Sequence, residues 1–227
     1  MNDDTTLDIS RLGRRAFCAG LPLLLAACAG DRMGQNGTLS FADQNVANYG
    51  PLDNEKFPVP ALDTAKVKPE WLRQVVDYHG PYKPGMIVVD PGEKHLYLVQ
   101  ENGKALRYGV GVGREGFTWS GEAVIKRKGV WPTWTPPVEM QARDPESRKY
   151  AGGMPGGLDN PLGARALYLY RGDEDLGYRL HGNNAPETIG TAVSSGCIRM
   201  FNHDIIDLYN RVPTGTRVVV LPTAGSV

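Results

Sequence analysis

Three cysteines, no surplus of charge and no long apolar run mark out what this chain is not. Lys plus Arg and Asp plus Glu number 25 each, so the bulk charge gives no reason to expect nucleic acid or an anionic surface as partner. The uncharged stretch from Ala16 to Gly30 has fifteen residues, short of the roughly 20 that an ordinary bilayer span needs. No segment repeats, and His and Cys are nowhere spaced as metal ligands. Helix-forming runs are few, whereas Gly (28) and Pro (17) are raised, a balance that favours strands and loops. The 227 residues, 41% of them hydrophobic, suffice for one good-sized domain with appended sequence.

Arg11, Arg14 and Arg15 precede the uncharged stretch, and Leu21 and Leu23 to Leu25 lie at its centre. A basic start and a short apolar core suit a secretory signal over residues 1–27. Leu25-Ala26-Ala27-Cys28 resembles a bacterial lipobox, in which Cys28 is lipidated and becomes the first mature residue; the alternative is a chance match to a small-residue cleavage site. Arg14-Arg15-Ala16-Phe17 resembles a twin-arginine export signature, or is simply the basic region of a signal exported by the Sec route. Loss of Cys18 with the signal and use of Cys28 as anchor leave Cys197 as the remaining thiol in an oxidising compartment. A thiol kept there is either buried and inert or chemically employed.

Residues 28–82 read as a tether followed by a short helix. Asp31 to about Lys68 is polar and without periodicity, as in a partly disordered spacer. Pro69 suits a first helical position, with Trp71, Leu72, Val75 and Val76 on one face and Gly80 as a stop. Strands are expected at Met86 to Val89, His95 to Gln100, Ala105 to Val112, Ala123 to Lys128, Arg165 to Tyr170, Tyr178 to His181 and Arg217 to Leu221. Asn102-Gly103 predicts a tight hairpin between the second and third of these. Trp131 to Pro137 is either an extended edge segment or one wall of a groove. Asp144 to Gly163, long and rich in Gly and Pro, reads as a lid or as a disordered loop. Asn202 is the expected cap of a helix with Ile205, Leu208, Tyr209 and Val212 on one face, ended by Pro213 and Gly215.

The chemistry concentrates in His181-Gly182-Asn183-Asn184 and Ser194-Ser195-Gly196-Cys197-Ile198-Arg199-Met200. A thiol attacks a carbonyl as the thiolate, so a nucleophilic cysteine needs a base or cation beside it. His181 ends a strand-like run that would hold its imidazole firmly. Cys197 follows a turn of small residues that leaves the thiol accessible, and the N–H groups of Gly196 and Cys197 are candidates for an oxyanion hole. A lone Cys is more often filler and a lone His more often structural; the two together, each next to a glycine, point to catalysis. His79, His95 and His203 lack such a setting and read as surface or packing residues.

This pairing resembles the L,D-transpeptidase catalytic domain family of the YkuD type. The family pattern is His-Gly, then a Ser/Thr-x-Gly-Cys-Ile/Val motif, matched here by His181-Gly182 and, sixteen positions after His181, by Cys197. Asn160-Pro161-Leu162-Gly163, the helix from Asn202 to Val212 and the run ending in Val218-Val219-Val220 are also similar to the family, and the resemblance covers roughly Pro84 to Pro222. It implies a catalytic domain over 83–223 that is mainly β, with a β-sandwich-like mixed sheet and one or two packed helices. It further implies a Cys197 nucleophile, a His181 base oriented by the carbonyl of Gly182, and no metal or organic cofactor. Many members carry a second His where this chain has Ser195, so an orienting role there does not carry over. Ser194 and Ser195 are candidate substrate contacts, and Arg199 either binds a substrate carboxylate or braces the loop.

The implied reaction is acyl transfer on peptidoglycan tetrapeptide stems. Cys197 attacks the carbonyl at the L-centre of diaminopimelate, D-alanine leaves, and an acceptor resolves the thioester. A second diaminopimelate gives 3-3 cross-links, an outer-membrane protein amine attaches that protein to the wall, and water makes the enzyme an L,D-carboxypeptidase or amidase. A non-catalytic peptidoglycan-binding module is the competing class; it has no need of thiol and base together. A papain-like protease has the opposite order of Cys and His. The expected setting is a periplasmic monomer on a lipid anchor, in the outer membrane rather than the inner, as Ala29 after Cys28 suggests.

Overall fold

The computed structural model describes residues 49–113, 119–194 and 196–223. Eleven strands are seen there: β1 (Gln74–Asp77), β2 (Ile87–Asp90), β3 (His95–Val99), β4 (Lys104–Gly109), β5 (Val112–Gly113), β6 (Gly121–Val130), β7 (Arg165–Arg171), β8 (Glu174–His181), β9 (Ala192–Ser194), β10 (Ile198–Arg199) and β11 (Arg217–Val220). Three helices accompany them: α1 (Val138–Arg143), α2 (Pro145–Arg148) and α3 (Asn202–Arg211). Nine strands form one mixed sheet in the order β1-β4-β3-β2-β11-β6-β7-β8-β10, and β5 pairs with β9 separately. The expected mainly β architecture, with a mixed sheet and few helices, is what the chain adopts.

Period-two burial explains the sheet. Ile87 and Val89, Leu96 and Leu98, Ala123 and Ile125, Leu167 and Leu169, and Val218 and Val220 each point from their strand into one shared core. Ile205, Leu208 and Val212 of α3 and its exit fill the same core, at the 3.6-residue spacing read from the sequence. The expected hairpin is present: Asn102 and Gly103 both take positive φ (59° and 66°), as a type I′ turn between β3 and β4 requires.

Three expectations need correction. Pro69–Trp71 is only a single 3₁₀ turn, and Gln74–Asp77 is a strand paired antiparallel with β4, not the second half of a helix. Val75 and Val76 are β-branched, and a free sheet edge satisfied their backbone better than a lone helical turn. The stretch read as tether is packed from Tyr49 onward: Tyr49 and Val59 are buried, and Glu55 pairs with Arg165 through both carboxylate oxygens. Residues 1–48, with the signal, Cys28 and the rest of the tether, lie outside the described residues. Asn202 does not cap α3; it is the first helical residue and its side chain is used elsewhere.

The N-terminal segment is held by buried polar groups. Tyr49 Oη donates to both carboxylate oxygens of Asp204 (2.8 and 2.9 Å) and accepts the Arg73 N–H (2.8 Å). Arg73 in turn lies 2.9 Å from Asp207, whose carboxylate also accepts from Tyr108 (2.7 Å). His203 and His95, both buried, meet the Gly50 and Glu70 carbonyl oxygens. Burial pushes the Asp204 carboxyl up to about 7, against the pull of the Arg73 guanidinium. Removing the Tyr49 hydroxyl leaves that carboxyl without its donor. Tyr49→Phe is therefore expected to lose about 1–3 kcal/mol of stability, read as a lower urea midpoint with an unchanged slope.

Candidate active site

β8 positions the site. Leu180 is fully buried and stands opposite Leu167 of β7 and Ile198 of β10, both also core residues. Alternation then directs Arg179 and His181 to the other face, together with Tyr168 opposite Arg179 and Arg199 opposite His181. Because β10 runs parallel to β8, the residue just before β10 lies alongside the end of β8. That residue is Cys197.

His181 is 4% exposed, and its Nδ1 lies 2.6 Å from the Gly182 carbonyl oxygen. A carbonyl only accepts, so Nδ1 carries the proton and Nε2 keeps its lone pair. Burial lowers the imidazole pKa to about 4, with the Arg199 and Arg179 guanidinium groups acting in the same direction against the Gly182 hydrogen bond. Gly182 is required where it stands, since a Cβ would run into the Asn202 side-chain oxygen. That oxygen accepts the N–H groups of Ala164 (2.9 Å) and Asn183 (3.2 Å), while Asn202 Nδ2 donates to the Asn183 carbonyl (3.0 Å). One amide thus ties the exit of β8 to the entry of β7.

The Cys197 thiol is half-buried, and its Sγ lies 4.0 Å from the Gly177 carbonyl oxygen. Gly177 has φ +76° at an irregularity where β8 slips against β7, the kind of bulge that re-aims groups beside a site. Burial raises the thiol pKa; Arg179, through charge and a backbone hydrogen bond, and Arg199 oppose that rise. Gly196 takes φ +120°, a left-handed conformation that suits glycine, and lies against the Tyr178 ring, which stacks on Trp119 at 4.9 Å.

Cys197 opens into a cleft of ≈ 360 Å³ that Thr133, Trp134, Thr135 and Pro137 wall on one side. Of the two readings of the Trp131 to Pro137 segment, the groove wall describes its position. The stretch from Asp144 to Gly163 is folded, not disordered. Its Asn160, fully buried, donates to the Pro132, Met154 and Pro155 carbonyl oxygens (3.2, 3.1 and 2.9 Å) and accepts the Leu162 N–H (2.8 Å). Leu162 reaches the cleft.

Of the residues singled out in the sequence, His181, Gly182, Gly196, Cys197 and Arg199 cluster around the ends of β8 and β10. Ser194 ends β9, paired with β5. Ser195 and Cys28 lie outside the described residues. Arg127, Tyr168 and Arg179, which line the cleft with Cys197, were not anticipated. The alternation of Arg179-Leu180-His181 was the one signal that put Arg179 on the histidine face. Among the described residues no group of His, Cys, Asp and Glu is arranged to hold a metal ion.

A family model for the YkuD L,D-transpeptidase catalytic domain matches residues 84–220. The chain belongs to that family. The YkuD match begins just before β2 and ends with β11, so it takes in both His181 and Cys197. Among curated proteins, the probable L,D-transpeptidase YbiS of Escherichia coli K12 is 36% identical over 138 residues, 58% of this chain and 43% of that one. The putative L,D-transpeptidase YqjB of Bacillus subtilis is 42% identical over 86 residues, 37% of this chain and 47% of its own. The chain thus spans about half or less of the length of the curated relatives it matches. A crystal structure from Brucella melitensis, described as a probable carnitine operon oxidoreductase, aligns at 47% identity over 70% of this chain and 99% of its own, with a TM-score of 0.49.

The depressed imidazole is directly measurable. NMR titration of His181 is expected to show a midpoint near 4 against an ordinary value of 6.5. A folded pKa below the unfolded one means that this histidine stabilises the fold fully above about 6.5 and loses that contribution as pH falls toward 4. A midpoint near 6.5 would contradict the burial of the imidazole as the dominant influence on it.

Proposed function

We propose that this protein is a peptidoglycan L,D-transpeptidase working through a Cys197 thioester. The observation that carries the reading is a neutral His181, with Nδ1–H committed to Gly182 and Nε2 available, on the strand beside the one that Cys197 leads into. At neutral pH burial keeps both partners uncharged, the thiol pKa raised and the imidazole pKa lowered. The thiol proton therefore moves to His181 Nε2 as Sγ bonds to the carbonyl carbon of the diaminopimelate L-centre. The oxyanion is held by the N–H groups of Gly196 and Cys197. A donor of this kind typically contributes about 2.7–4 kcal/mol.

The intermediate collapses by expelling the D-alanine amine, which takes the proton from His181, and leaves the thioester. An acceptor amine gives a proton to His181 as it attacks, and the thiol is restored when the thioester opens. Diaminopimelate as acceptor yields 3-3 cross-links; a protein amine attaches that protein to the wall. The Arg199 backbone bonds to Gly111, but its guanidinium makes no ion pair or hydrogen bond among the described residues, which favours a substrate carboxylate as its partner over a bracing role. Ser194 and Ser195 flank the substrate in this reading. The motif at Cys28 and the basic, apolar segment before it support export to the periplasm and anchoring through lipid, in the outer membrane.

Two measurements test this. Incubated with a tetrapeptide muropeptide, the protein is expected to gain a thioester adduct by intact mass and to release D-alanine. Cys197→Ala abolishes the adduct, and His181→Ala slows its formation by about 10²–10⁴-fold. A folded protein that binds the muropeptide and never acylates would instead be a wall-binding module. For the anchor, Cys28→Ala is expected to move the expressed full chain from the membrane fraction to the soluble periplasm; unchanged fractionation would rule out lipidation at that residue.

A further inference from the structure

Arg127 of β6 stands opposite Tyr168 of β7, which stands opposite Arg179 of β8. The Arg127 guanidinium carbon is 3.4 Å from the Tyr168 ring centroid, and that of Arg179 is 4.5 Å from it. Two cations from the neighbouring strands thus hold one buried ring. They differ in their other partners. Arg179 gives both terminal nitrogens to Asp175 (2.6 and 2.9 Å). Arg127 is exposed, and its guanidinium makes no ion pair or hydrogen bond among the described residues. The lysines on either side of it are engaged, Lys126 with Asp173 and Lys128 with the Tyr209 and Val212 carbonyl oxygens. Among the described residues, none of those lining the cleft that Arg127 shares with Cys197 is acidic.

In a chain of balanced charge, an unneutralised guanidinium at this position is a local choice. At 3.4 Å from the centroid it packs on the face of the ring, which leaves its N–H edge to meet a ligand. A planar fork presented edgewise is the geometry that takes a carboxylate through two parallel hydrogen bonds. We propose that Arg127, stacked on Tyr168 in the Cys197 cleft, is the specificity residue that binds a free carboxylate of the peptide donor. Tyr168 and Arg179 are positioning residues for that guanidinium. The inference rests on the acyl-transfer reading above and names a feature of the substrate that it recognises: a carboxylate beyond the bond that breaks.

The test follows Cys197 thioester formation on the full chain, by intact mass against time and donor concentration. The donors are an unmodified tetrapeptide stem and stems amidated at each of its free carboxylates in turn. Arg127→Gln is expected to raise the half-saturating concentration of the unmodified donor about tenfold with the maximal rate unchanged. That loss vanishes on the one donor whose recognised carboxylate has been amidated, which identifies the group. Arg127→Lys, keeping the charge without the fork, recovers only part of it. The parent protein's own preference for the unmodified donor over that amide gives the same answer without relying on a variant's folding. An equal loss on every donor, or none on the unmodified one, would overturn the proposal and leave Cys197 acyl transfer standing. An absent adduct in the parent protein would overturn both.

Discussion

Leu180 is packed completely into the core, and neighbours on both flanking strands meet it there, Leu167 and Ile198. Strand side chains alternate, so burying this one residue sends Arg179 and His181 to the opposite face. A slip of one residue in either pairing would put the histidine into the core and a leucine into the cleft. Hydrophobic burial therefore supplies the accuracy that the chemistry needs. The core contributes no reacting group, but it sets where each one points.

Around that strand the protein spends polar groups on backbone rather than on one another. The Asn202 amide joins Ala164 and Asn183, the Asn160 amide gathers three carbonyl oxygens of the loop beside the cleft, and His181 leans on Gly182. Each buried amide satisfies donors and acceptors that a loop would otherwise leave without partners. Gly163 and Gly182 are glycines because a Cβ at either would collide with the Asn202 amide. The loops that bear the site are thus as constrained as the strands they join. The N-terminal segment is held differently, side chain to side chain, in one buried network of Tyr49, Arg73 and Asp204.

Electrostatics divides the site in two. Burial favours the neutral forms of the imidazole and the thiol, which in the mechanism we propose means proton transfer at the moment of attack and not a resting ion pair. At the rim, guanidinium groups give the cleft a positive character that the chain as a whole lacks. In Arg179 this charge is matched by Asp175 and in Arg127 it is not. In the proposed reading, the apolar and cationic parts of one cleft suit different parts of one substrate.

Much of this was legible in the residues alone. Alternating runs and Asn102-Gly103 located β2, β3, β4, β6, β7, β8 and β11, because a core-facing strand and a type I′ turn each leave a local signature. His181-Gly182 and Gly196-Cys197 marked the candidate site, since a thiol and an imidazole beside glycines have few other uses. β1 was misread as helix because Trp71, Leu72, Val75 and Val76 fit a helical face as well as an edge strand, and only the presence of β4 decides between them. β9 and β10 are two or three residues long and exist through their partners, β5 and β8, so no local pattern announced them. The sequence by itself determined which residues can do chemistry and which strands are buried, since both are properties of side chains in order along the chain. The tertiary structure alone decided that Cys197 leads into the strand paired with the one that carries His181, that Asn202 braces a loop instead of capping a helix, and that Arg127 and Arg179 meet across Tyr168. Those are pairings between strands distant in sequence, and register, not composition, makes them.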